Sequence, residues 1–87
     1  FDLESKLYLN PASETVTLEF VLEESDYFRS VIYDLNGKEI KVIHSQRLNA
    51  GKHLYQINTE ELPGGVYFLR IQNNKGKGVS KKFVIEK

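Results

Sequence analysis

Two histidines and six serines are the residues of this chain that could support nucleophilic or general-base chemistry. A catalytic triad needs a serine held against an imidazole, with a third group orienting the ring. None of Ser5, Ser13, Ser25, Ser30, Ser45 and Ser80 has the Gly-x-Ser-x-Gly context that exposes a nucleophile on a tight turn. His53 alternates with Tyr55 and Ile57, so it reads as a partly buried, hydrogen-bonded histidine; His44 is the other imidazole. Asp34-x-Asn36-Gly37 has the opening of a calcium loop. That loop needs a bidentate acid about twelve positions after its first ligand, and Glu39 comes too early. Glu23-Glu24-x-Asp26 reads as a solvated loop rather than a cation site. Glycoside hydrolysis needs two carboxylates facing across a cleft, for which a compact sandwich of this length has little room. The glycines of 74–78 do not join a strand to a helix, so they form no phosphate cradle. No catalytic residue, metal ligand or cofactor is assigned, and the chain reads as a non-enzyme.

The elements that would position these residues follow period-two alternation, the pattern of a half-buried strand. It is clearest over 14–22, where Val16, Leu18, Phe20 and Leu22 share one face and Thr15, Thr17, Glu19 and Val21 the other. An earlier short strand, 6–9, ends at Asn10-Pro11, because proline removes a ladder donor. Residues 28–34 form a third strand with apolar residues on both faces; whether Phe28 and Ile32 or Val31 and Tyr33 face inward stays open. Asn36-Gly37 predicts a two-residue type I′ hairpin. The returning strand carries Ile40, Val42 and Leu48 and bends near His44 or Gln46. Asn49-Ala50-Gly51 turns the chain into a strand with His53, Tyr55 and Ile57. Residues 58–62 are expected to make one helical turn, capped by Asn58 or Thr59 and stopped by Pro63-Gly64-Gly65. A strand over 66–72 places Tyr67, Leu69 and Ile71 together. A flexible hairpin loop over 73–78 leads to a last strand that buries Val79, Phe83 and Ile85. About seven short strands with almost no helix predict an all-β, immunoglobulin-like antiparallel β-sandwich, with a barrel as the alternative.

Composition agrees. The 87 residues hold one domain and one core, and 40% are apolar, too many for a disordered tail. There is no cysteine, which excludes disulfides, thiol catalysis and thiolate metal sites. No apolar run is long enough to span a membrane or to serve as a signal peptide. Methionine is absent, so the chain is expected to be a piece of a longer protein. Twelve basic residues balance twelve acidic ones, without the basic excess of a nucleic-acid binder. The charge is uneven, however. Residues 1–35 hold eight acids against Lys6 and Arg29, whereas residues 70–87 hold six bases against Glu86 alone. Either the first and last strands exchange weak surface attractions, or the basic C-terminal end is a recognition surface.

Six blocks of sequence carry a resemblance when read in order. They are Leu7-Tyr8-Leu9-Asn10-Pro11-Ala12-Ser13; Val16-Thr17-Leu18-Glu19-Phe20; Ile32-Tyr33-Asp34-Leu35-Asn36-Gly37-Lys38; Leu48-Asn49-Ala50-Gly51-Lys52-His53; Leu62-Pro63-Gly64-Gly65-Val66-Tyr67-Phe68-Leu69-Arg70-Ile71; and Lys81-Lys82-Phe83-Val84-Ile85-Glu86-Lys87. The chain resembles the type A C-terminal sorting domain of the type IX (Por) secretion system of Bacteroidota. One departure is Leu9, where that family commonly has a second proline.

The resemblance implies a non-catalytic secretion signal at the end of an exported cargo, with residues 1–5 a linker remnant and 6–87 the sorting domain. Its implied partners are an outer-membrane translocon and shuttle proteins, a surface sortase that removes the domain from many cargos, and an N-terminal cargo domain in the same parent chain. Nucleic acid and a membrane span are not expected. Its implied route runs through the periplasm to the cell surface or the medium. The sorting motif residues are Asn10, Pro11, Gly37, Gly51, Gly65, Tyr67, Lys81, Lys82, Phe83, Val84, Ile85 and Lys87. The turn glycines among them serve geometry, and the last strand with Lys87 is the feature expected to be read. A carbohydrate-binding or adhesion module is the alternative, although there is no Trp for a flat sugar platform; a structural spacer is a third reading.

Overall fold

The computed structural model describes residues 3–10 and 14–87. Alternation becomes seven strands: β1 (Ser5–Asn10), β2 (Thr15–Leu22), β3 (Asp26–Asp34), β4 (Glu39–Leu48), β5 (Gly51–Asn58), β6 (Gly65–Asn73) and β7 (Gly78–Ile85). They form two antiparallel sheets, β1-β2-β5 and β4-β3-β6-β7. The fold is an all-β, immunoglobulin-like sandwich. Its fourth strand lies beside the third in the larger sheet, unlike the arrangement of antibody constant domains.

β2 supplies the centre of the core. Its inward side chains Val16, Leu18, Phe20 and Leu22 are all buried. They meet Phe28 and Ile32 of β3, Tyr67, Leu69 and Ile71 of β6, and Phe83 and Ile85 of β7. The open question at β3 resolves as Phe28, Ser30 and Ile32 inward. Val31 is buried as well, but outside this cluster, flanked by its register partners Val42 and Arg70. The irregularities of β4 come at two register shifts, where Ile43 and Ile40 have no direct partner on β3. Leu3 precedes the first strand, yet it is buried in the core, and the Glu4 carbonyl accepts a hydrogen bond from Val21 N. Folding therefore already involves residues that the sequence groups with the linker.

The turns correct two expectations. The loop after β3 is not a type I′ hairpin, because that turn needs positive φ at both central residues and only Gly37 has it, at 83°. Gly37 N donates to the Asp34 carbonyl and Asp34 N to the Lys38 carbonyl. These bonds define a three-residue loop, a type I turn closed by a left-handed glycine. The Asp34 carboxylate explains the choice, since Oδ1 accepts from Asn36 N and Lys38 N, both at 2.9 Å. The 73–78 hairpin loop is a copy of this turn: Asn73 Oδ1 accepts from Lys75 N and Lys77 N, both at 3.0 Å. Residues 58–62 form no helix. Asn58 Oδ1 does cap Glu60 N, and Leu62 N bonds back to the Thr59 carbonyl, but the turn ends there. Leu62 is needed in the core.

Two substitutions test this packing. Leu3→Ala should lower unfolding free energy by about 2–5 kcal/mol, whereas the exposed Leu54→Ala should stay within about 0.5 kcal/mol in the same urea titration. At Gly78 an added Cβ would lie 1.9 Å from the Ile71 carbonyl oxygen. Gly78→Ala should therefore destabilise by about 1–3 kcal/mol or more and weaken amide-exchange protection along β7 first.

Candidate recognition surface

Pairing of β3 with β4 sets Ser30 opposite His44, and Ser30 Oγ lies 2.7 Å from His44 Nε2. No sequence signal marks this pair, because the two residues are joined only through sheet register. Ser30 is fully buried, so its hydroxyl cannot reach a substrate, and His44 Nδ1 makes no hydrogen bond of good geometry to an orienting group. The pair serves the core. The His44 ring stacks on Tyr55 at 4.5 Å and lies 5.9 Å from Phe20. Burial pushes the His44 pKa below its ordinary value; the nearby Phe28 backbone opposes this in part, and His53 adds to it. His53 is half-buried, with Nε2 2.7 Å from the Asn49 carbonyl.

The residues singled out from sequence do not converge on a pocket. Asn10 ends β1 opposite Thr15, and Pro11 lies outside the described residues. Gly37 closes the β3–β4 turn, Gly51 opens β5 and Gly65 opens β6. Tyr67 ties a corner of the fold to the core: its hydroxyl donates to the Pro63 carbonyl at 2.7 Å, while its ring packs 5.7 Å from Phe83. A tyrosine near the start of the sixth strand, bonded back to the preceding corner, is a hallmark of immunoglobulin-like sandwiches. The motif Pro63-Gly64-Gly65-Val66-Tyr67 therefore builds this corner.

The last strand is different. β7 pairs only with β6 and forms a free edge of the larger sheet. Register sets Phe83 opposite Tyr67 and Lys81 opposite Leu69, on the inward-facing side; Lys82 and Val84 take the outward side, opposite Phe68 and Val66. Phe83 and Ile85 are core residues, whereas Lys82 and Val84 are exposed. The terminal Lys87 folds back, with Nζ donating to the Glu60 carbonyl.

Among the described residues, the acids of 1–35 do not pair with the bases of the last strand. The ion pairs among the described residues are Arg29–Glu39 at 2.9 Å and Lys52–Glu19 at 3.2 Å. Arg70 is spent on Gln72, Ser80 and the Gly76 carbonyl. Lys81 and Lys82 thus lack an acidic partner, and the expected exchange of charge between first and last strands is absent among the described residues. At the other pole, Asp26 Oδ1 accepts from Tyr27 N, so that acidic loop spends a carboxylate on its own backbone.

Chain direction separates the two ends. Ser5 is level with Phe20, near the 22–26 and 73–78 loops; Ile85 is level with Gly65, beside the 58–65 corner. The N- and C-terminal ends of the sandwich therefore lie at opposite poles of a body 38 Å long. No helix among the described residues is long and apolar enough to cross a membrane.

Fold and surface together define a small immunoglobulin-like sandwich with an exposed, lysine-bearing edge strand. The chain belongs to the secretion system C-terminal sorting domain family, whose model matches residues 6–86. The family is a sorting signal of type IX secretion rather than a catalyst, and it directs an exported protein towards the cell surface or the medium. A search of curated proteins found no match.

The buried imidazole gives a pH test. Because the folded pKa of His44 lies below the unfolded value of about 6.5, the unfolded chain binds the extra proton first. Stability should be full above that value and fall as pH drops through the window between the unfolded and folded pKa values. Urea titrations between roughly pH 7 and pH 5 should show this loss. His44→Gln should flatten the slope, and His53→Gln should retain most of it.

Proposed function

We propose that this domain is the part of an exported protein that the outer-membrane translocon of type IX secretion reads, and that β7 is the strand it reads. The observation that carries this is the unpartnered edge of β7, which presents Lys81 and Lys82 without an ion-pair partner among the described residues. A free edge can accept a partner strand through backbone hydrogen bonds, while charged side chains discourage indiscriminate pairing. The pole-to-pole arrangement supports the same reading. A cargo joined at the N-terminal pole leaves the C-terminal end of β7 and Lys87 clear of it.

In this reading the domain folds in the periplasm and is passed by shuttle proteins to the translocon. A surface sortase then separates it from cargo that stays on the cell. The burial of Leu3 favours a cut upstream of Leu3, because a cut after it would leave the core without one of its side chains.

Fusing residues 1–87 behind an exported reporter tests the proposal in a bacterium that has type IX secretion. The reporter should reach the surface or medium, and should accumulate in the periplasm when the translocon is deleted. Periplasmic retention in the competent strain, with the domain shown to be folded by protease resistance, would refute it. Removing residues 81–87 is a poor substitute, since it also takes Phe83 and Ile85 from the core.

A further inference from the structure

β1 and β7 are edges of different sheets, and they lie on the same side of the sandwich. Between them runs a shallow groove of about 630 Å³ lined by Leu7, Ser80, Lys81, Lys82, Phe83 and Val84. Leu7 and Phe83 give it an apolar floor that is continuous with the core. Lys81 faces inward among apolar neighbours with no ion-pair partner among the described residues, and Lys82 extends the positive charge to the outer face. Across the groove β1 contributes Leu7 to the lining and carries no acid.

We propose that this groove receives an extended acidic segment of a partner protein, added as an antiparallel strand to the free edge of β7. Its side chains must match the strand they face. Two consecutive acidic residues lie opposite Lys82 and Lys81, preceded by aliphatic residues opposite Val84 and Phe83. The residue opposite Phe83 points into the groove towards Leu7, and the acid opposite Lys81 neutralises the inward lysine. Backbone bonding holds the strand, and these side chains choose it. A second copy of this chain centred on β7 does not fit. β7 spans Gly78–Ile85, so pairing two copies about its midpoint would set Lys81 against Lys82 on both sides, a like-charge contact that opposes association. The inference rests on the reading of β7 as the recognised strand and supplies the chemistry of what recognises it.

The test uses the whole 87-residue chain and a synthetic peptide with a central Val-Ile-Glu-Asp run between threonines. Titration followed by backbone NMR should shift Leu7 and residues 81–84, and binding should weaken as salt is added. A matched peptide with Lys-Lys in place of Glu-Asp should bind at least about tenfold more weakly. The double variant Lys81→Glu/Lys82→Glu should reverse this preference; Lys81→Gln/Lys82→Gln, which is less exposed to folding failure, should abolish it. Shifts confined to β4 or β5, or equal binding of both peptides, would overturn the proposal. Export of the reporter fusion separates the two claims. Normal delivery of a folded charge-reversed domain would sink the acidic-strand proposal and leave the sorting function standing, whereas failure of the unaltered fusion would remove both.

Discussion

The ring of Phe20 is where the two sheets are locked together. It comes from the middle of the three-stranded sheet and is fully buried, with Phe28 and His44 of the opposite sheet at 6.4 and 5.9 Å. His53 and Tyr55 of its own sheet lie at 5.5 and 6.1 Å. Ring pairs of this kind contribute about 0.5–1.5 kcal/mol each beyond the area they bury. In a chain without a disulfide, that cluster and the aliphatic layer around it must carry stability alone. A charged imidazole at this point would weaken the whole sandwich, which is why the His44 proton matters to the fold although it takes no part in chemistry.

Once the core is closed in this way, the sheet edges are the backbone that remains unpaired. Seven antiparallel strands in two sheets leave four edge strands, β1, β5, β4 and β7. An odd number of traverses also sends the two ends of the chain to opposite poles. The edge pair β4 and β5 is tied across the sandwich by the His44–Tyr55 stack and by Lys41 Nζ, which reaches the Asn58 carbonyl at 3.3 Å. The pair β1 and β7 has a groove instead. The two seams therefore differ, one sealed by side chains and the other left with an apolar floor and with lysines that have no ion-pair partner among the described residues.

The same turn appears twice for a local reason. Asp34 and Asn73 each end a strand and each offer a side-chain oxygen to the amides two and four residues on. In the first turn Asn-Gly is a strong signal for a two-residue hairpin, yet the Asp34 carboxylate outweighs it by satisfying two amides at once. In the second, Asn73 organises the lysines and glycines into the same loop. In both, the acceptor that precedes the turn residues decides the geometry.

Local alternation and turn chemistry are enough to settle the strand count, the buried face of β2 and the membership of Tyr67, Leu69 and Ile71 in one layer. These properties depend on residues a few positions apart, and a pleated strand exposes them directly. The ordered motifs carry the sorting reading for the same reason. Other features need partners distant in sequence. The inward face of β3, the Ser30–His44 contact, the burial of Leu3 and the close approach of Gly78 to Ile71 all follow from register and from sheet-on-sheet packing. The split of the last strand is legible locally, because its alternation already puts Phe83 and Ile85 on the buried face and Lys82 and Val84 on the other. A sequence shows which residues alternate, but only the opposing sheet decides which half of the alternation is covered and which edge is left free.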